Sequence, residues 1–92
     1  MQTNNNKNTY QDSERLQTSN FILACLLKLN HAELLGMDRT NPRKAVFYFG
    51  YTPELSKIAE DFLLDKSDFK ISLRDFVRVQ KQLKNALYDE FR

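Results

Sequence analysis

Apolar and polar positions divide this chain into five elements. The first seventeen residues show almost no apolar periodicity beyond Tyr10 and Leu16, and they include Asn4, Asn5 and Asn6. Such a stretch buries too little surface to offset the entropy of ordering it, so 1–17 reads as a polar N-terminal tail and 18–92 as a single domain. Thr18, Ser19 and Asn20 are three N-cap residues in a row ahead of the apolar run Phe21–Leu27. They predict a first helix from about Ser19 to Asn30, apolar around most of its girth and therefore central to the core.

Two strand-like runs come next. Glu33–Arg39 contains Gly36, and Lys44–Tyr51 is dense in strand formers at Val46, Phe47, Tyr48 and Phe49. Between them Thr40-Asn41-Pro42-Arg43 is turn chemistry: Asn caps its own backbone and Pro presets φ. Together they predict an antiparallel hairpin joined by about four or five residues. Alternation puts Phe47, Phe49 and Tyr51 on one face, and Val46 and Tyr48 with Leu35 and Met37 on the other.

Thr52-Pro53-Glu54-Leu55 is a helix start, with a capping hydroxyl, proline at the first helical position and an acid near the positive helix end. Leu55, Ile58, Ala59, Phe62 and Leu63 then give the stripe of a second helix. Ser72-Leu73-Arg74-Asp75 resembles a capping box and opens a third helix reaching Tyr88 or beyond, with its stripe at Leu73, Phe76, Val77, Leu83 and Leu87. The fold class is α+β, in the order α-β-β-α-α, with one two-stranded hairpin packed against three helices.

The ordered blocks Thr18–Ala24, Gly36–Arg43 with Val46–Phe49, and Thr52–Leu55 with the lysine-rich last helix resemble an uncharacterised family of small bacterial and phage- or plasmid-borne proteins. The resemblance spans about residues 18–88. It implies a mobile-genetic-element context and transfers no site residue.

Charge sharpens the picture more by its distribution than by its total of +2. Residues 36–51 set Arg39, Arg43 and Lys44 against Asp38. Residues 52–68 are acidic, with Glu54, Glu60, Asp61, Asp65 and Asp68 against Lys57 and Lys66. Residues 69–92 are basic again, led by Lys70, Arg74, Arg78, Lys81 and Lys84.

Arg74, Arg78, Lys81 and Asn85 share one face of the third helix, spaced to meet successive phosphates, with Lys84 beside them. The hairpin loop adds Arg39, Arg43 and Lys44, and Tyr48 or Tyr51 offers a ring for an unpaired base. The bland reading of that stripe is the solvated side of an amphipathic helix. A nucleic-acid partner, or a larger protein or nucleoprotein complex, is the leading expectation. The alternative is a protein-interaction module, a homodimer or small inhibitor, docking by hairpin edges and by Val46, Tyr48 and Tyr51.

Catalytic chemistry finds little support. Cys25 and His31 are the single cysteine and histidine, six residues apart, and point well apart on a helix. A lone cysteine in an apolar run is usually inert filler, and His31 suits a helix C-terminus. One of each cannot build a structural zinc site, which wants four N or S ligands. Asp61, Asp65 and Asp68 would share a face if the second helix ran on, but Lys57 pairing with Asp61 argues for an ordinary solvated surface. No Gly-rich phosphate loop is present. The expectation is a protein that is not an enzyme and takes no cofactor. The seven-residue run Phe21–Leu27 is far short of the roughly 20 residues a bilayer span needs, so the expected location is cytoplasmic, without membrane contact.

Overall fold

The computed structural model describes residues 9–11, 15–41, 43–66 and 68–89, with the backbone alone for 9–11 and 89. Among the described residues seven elements succeed one another: β1 (Thr9–Gln11), β2 (Arg15–Thr18), α1 (Phe21–Leu29), β3 (Leu34–Asp38), β4 (Val46–Gly50), α2 (Pro53–Leu63) and α3 (Leu73–Asp89). The fold is α+β: an antiparallel sheet in the order β1-β2-β4-β3 carries three helices on one face.

The expected hairpin is there, but it is half of a larger sheet. Residues 9–11 and 15–18, read as tail and cap, form strands. β2 runs antiparallel to β4, with Leu16 opposite Phe49 and Thr18 opposite Phe47. Leu16 is 1% exposed and Thr18 is fully buried. A four-residue strand with two inward positions carries too little pattern to announce itself, and its stability comes from the β4 backbone beside it. The remainder of the expected tail lies outside the described residues. β4 is therefore an interior strand, and the hairpin offers only β3 as an edge.

That edge is bulged. Between Leu34↔Phe49 and Gly36↔Tyr48 the β3 chain advances two residues while β4 advances one. The extra residue is Leu35, half exposed at 49%. The bulge reverses the inward–outward parity of the residues after it. Met37, assigned by simple alternation to the outer face with Val46 and Tyr48, instead pairs with Phe47 and packs on the core with Leu34.

α1 is the hub. Leu23 to Leu27 are five consecutive buried residues, because the helix is enclosed by β2 on one side and by α2 and α3 on others. Asn20 caps it, its Oδ1 accepting from the Leu23 N–H at 3.0 Å. The Thr18 hydroxyl accepts from the Asn20 N–H at 3.0 Å, so the buried threonine is satisfied and the strand turns tightly into the helix.

The helix ends in a Schellman motif. His31 adopts φ 72°, the Ala32 N–H reaches the Leu27 carbonyl at 3.0 Å, and the His31 N–H reaches that of Lys28 at 3.0 Å. The buried pair Leu27 and Ala32 closes the turn. A side chain with a Cβ is disfavoured in this left-handed conformation. His31→Gly is therefore expected to stabilise the protein by about 0.5–1 kcal/mol, read as a higher urea midpoint with an unchanged slope.

α2 begins as the sequence indicates, Thr52 Oγ1 accepting from the Leu55 N–H at 3.1 Å with Pro53 in the first turn. It stops at Leu63 in a second Schellman turn: Asp65 has φ 57°, and Lys66 bonds back to the Asp61 carbonyl at 2.9 Å. α3 has a different phase from the one expected. Val79 and Leu83 are 5% and 1% exposed, whereas Leu73 and Val77 are 76% and 38% exposed. Centring the stripe on Phe76, Val79 and Leu83 turns Leu73 and Val77 roughly 80–120° away from the core.

Candidate nucleic-acid interface

The loop at residues 39–45 is held by short polar bonds that its own sequence supplies. The Asp38 Oδ1 accepts from the Thr40 N–H at 2.8 Å, and the Asn41 Oδ1 accepts from the Arg43 N–H at 2.9 Å. The Lys44 N–H returns to the Asn41 carbonyl at 3.0 Å. These are the side-chain-to-backbone turns that Asp and Asn favour. Thr40, first through its hydroxyl and then through its N–H, holds the Asp38 carboxyl below its ordinary value, so the loop begins on a fixed carboxylate. Pro42 lies outside the described residues.

A tertiary contact fixes the loop against α3. Arg39 Nη1 donates to the Leu87 carbonyl at 3.2 Å, joining residues 48 apart. A cation near a helix C-terminus meets the negative end of the helix dipole, so the contact is electrostatically matched. Arg39, Arg43 and Lys44 of the loop and Lys84 of α3 then surround one groove of about 300 Å³. Its apolar lining includes Phe21 and Leu87, Ser19 and Asn41 add polar groups, and Tyr88 stands at its α3 wall. None of the described residues lining it is acidic.

The structure divides the sequence-derived basic set. Lys84 joins the loop. Arg74, Arg78, Lys81 and Asn85 are exposed on the outward side of α3, roughly 160–220° around the helix from the buried Leu83. Arg78 is engaged within the helix, its Nη1 donating to Asp75 at 2.9 Å. That pair is open to solvent and contributes little to stability. The Ser72 Oγ accepts from the Asp75 N–H at 3.3 Å, which gives the forward half of the expected capping box.

The aromatic partners differ from those expected. Tyr48 lies on the sheet face opposite the helices, half-buried, with the Arg15 guanidinium 4.7 Å from its ring centre. It is thus separated from the loop–α3 groove by the sheet itself. Val46 shares that outer face, while Tyr51 packs against the core. The aromatic residue beside the cations is Tyr88, 61% exposed. Its spacing from Lys84, i to i+4, was a legible signal, because such pairs are neighbours on a helix surface.

The chemical candidates settle differently. Cys25 is fully buried, and desolvation pushes its thiol up to about 11, opposed only in part by the Lys84 charge. His31 is exposed at the end of α1. A protonated, enclosed thiol is no nucleophile. Cys25 is expected to resist a thiol reagent such as DTNB in the native protein and to react at once in denaturant.

The same shift has a sign in stability. At pH 7 both states hold the proton. Between the ordinary value of 9.0 and about 11 the unfolded chain ionises and the folded one does not, so stability falls as pH rises through that window. Asp61 pairs with Lys57 at 3.2 Å, as its spacing suggests. The left-handed turn at Asp65 ends α2, so Asp61, Asp65 and Asp68 do not share a helical face. Among the described residues no group of three or more His, Cys, Asp or Glu is placed to hold a metal ion.

Residues 13–89 match a known family, described as Domain of unknown function (DUF5659). The chain belongs to that family. The DUF5659 match begins ahead of β2 and ends with α3, so β2 lies inside the family's domain rather than in a tail before it. No curated protein matches the chain, and no solved structure does. Among the described residues no helix is long and apolar enough to cross a membrane.

Proposed function

We propose that this protein is a small non-enzymatic binding module that holds a nucleic-acid backbone in the groove between the β3–β4 loop and the end of α3. It would serve as an accessory or regulatory component of a nucleic-acid-processing complex in the cytoplasm, in keeping with a mobile-element context. The supporting observation is convergence: Arg39, Arg43, Lys44 and Lys84 come from two separate segments and border one groove. Lys and Arg side chains around a groove match the main source of nucleic-acid affinity, the neutralisation of phosphates with release of counterions.

The loop's internal bonds fix its backbone and the tether to Leu87 fixes the Arg39 guanidinium, so binding has only the exposed side chains of Arg43, Lys44 and Lys84 left to order. Arg74, Arg78 and Lys81 would add a longer-range field from the outward face of α3. Cys25, the chain's single cysteine, is buried and protonated, which favours a binding role over catalysis.

Fluorescence anisotropy with labelled oligonucleotides over a salt series tests the reading. Binding that weakens steeply with salt supports it. Tyr48→Glu, on the opposite face of the sheet, serves as the control and is expected to leave binding unchanged. Loss of binding in that variant would move the interface to the hairpin's outer face.

A further inference from the structure

We propose that the groove takes single-stranded nucleic acid, with one base laid against Tyr88 while the adjoining phosphates meet Lys84, Arg43 and Lys44. This rests on the reading of the groove as a nucleic-acid interface. It adds which form of nucleic acid is taken and which residue makes the distinction.

Tyr88 carries that distinction. Tyr88 is 61% exposed, roughly 140° around α3 from the buried Leu83, so its ring face is open to a ligand. It lies one turn beyond Lys84 on the same flank of α3, and both residues line the groove. A nucleotide presents the same pair of features, a flat apolar base and a phosphate. Every base has a π-face, and stacking on an aromatic side chain is open to any unpaired base. In a duplex the base faces are already stacked on one another and only the edges are offered.

Size points the same way. A groove of about 300 Å³ lies at the small end of ligand clefts, which run to roughly 1,000 Å³. It suits a nucleotide unit of a flexible strand. A duplex, whose major groove alone is about 12 Å wide, could touch only its rim. The lining fits as well: Phe21 and Leu87 supply apolar surface for a base or sugar, and Ser19 and Asn41 supply hydrogen-bonding groups beside it. Tyr48, the strand aromatic that also meets a cation, faces away from the helices under Arg15 and cannot take part.

The test compares a labelled single-stranded homopyrimidine oligonucleotide with a duplex of equal length at low salt, using the wild type, Tyr88→Ala and Tyr88→Phe. Single-strand binding is expected to be at least tenfold tighter than duplex binding. Tyr88→Ala should weaken single-strand binding by about tenfold and leave duplex binding unchanged, and Tyr88→Phe should restore it. Equal affinity for both forms, or equal losses on both in Tyr88→Ala, would overturn the single-strand assignment while leaving the cationic groove in place. Absence of binding to either form would overturn the underlying reading.

Discussion

Leu16→Ala is expected to lower the unfolding free energy by about 3 kcal/mol. The side chain is 1% exposed and sits opposite Phe49 in the sheet, within the cluster formed by Leu23, Leu27 and Leu83. Removing its branched end forfeits transfer free energy and leaves a cavity that neighbours fill only in part, which in cores typically costs about 2–5 kcal/mol. A domain of this size has a total stability of roughly 5–15 kcal/mol, so the variant would lose a large share of it. Urea denaturation reads the effect as a lower midpoint at unchanged slope. Leu73→Ala, at a position 76% exposed, is the matched control and should shift stability by less than about 0.5 kcal/mol. If Leu16→Ala behaved like that control, β2 would be no part of the cooperative fold.

Replacing Arg43, Lys44 and Lys84 together with Glu is expected to weaken oligonucleotide binding by more than about a hundredfold at low salt. Three or four phosphate contacts give a log–log salt slope between roughly −2 and −3 on a single strand, and the triple variant should flatten that slope towards zero. All three residues are exposed, so the thermal midpoint should hardly move. The companion variant reverses Arg74, Arg78 and Lys81 on the outward side of α3. It should reduce affinity only modestly, because those charges act on the approach of the ligand rather than in the groove. If the outward set abolished binding and the groove set did not, the interface would be the helix stripe and the proposed groove would be wrong.

These two results separate two kinds of residue. Leu16 matters because of what stands beside it in space. Arg43 and Lys84 matter because a loop and a helix bring them to one groove. Neither relation has a signature within a short window of sequence. Leu16 belongs to four residues, Arg15–Thr18, in which only alternate positions point inward. That pattern is common in any polar stretch, and a neighbouring strand far along the chain, Val46–Gly50, decides its fate.

The bulge at Leu35 is a similar case. Simple alternation would send Met37 outward, and one inserted residue turns it into the core. In α3, two overlapping apolar stripes were available, through Leu73 and Val77 or through Phe76 and Val79. Contact with α1 chose the second. Tyr88 was exposed by that choice, and Tyr48 was removed from the basic surface by the sheet's facing.

The sequence by itself determined what short-range chemistry controls. Asn20, Thr52 and Ser72 start the three helices by accepting backbone N–H groups within three residues. Asn41 shapes the loop between β3 and β4 through its bond to Arg43. The runs at Phe21–Leu29 and Val46–Gly50 declare helix and strand by their own composition. Only the tertiary structure decided that β2 joins β4, that β4 is interior, and that the loop cations meet Lys84 and Tyr88. The reason is physical: caps and turns close over a few residues at small entropic cost. Strand pairing and groove formation join distant segments, and are stable only when the whole core forms around α1.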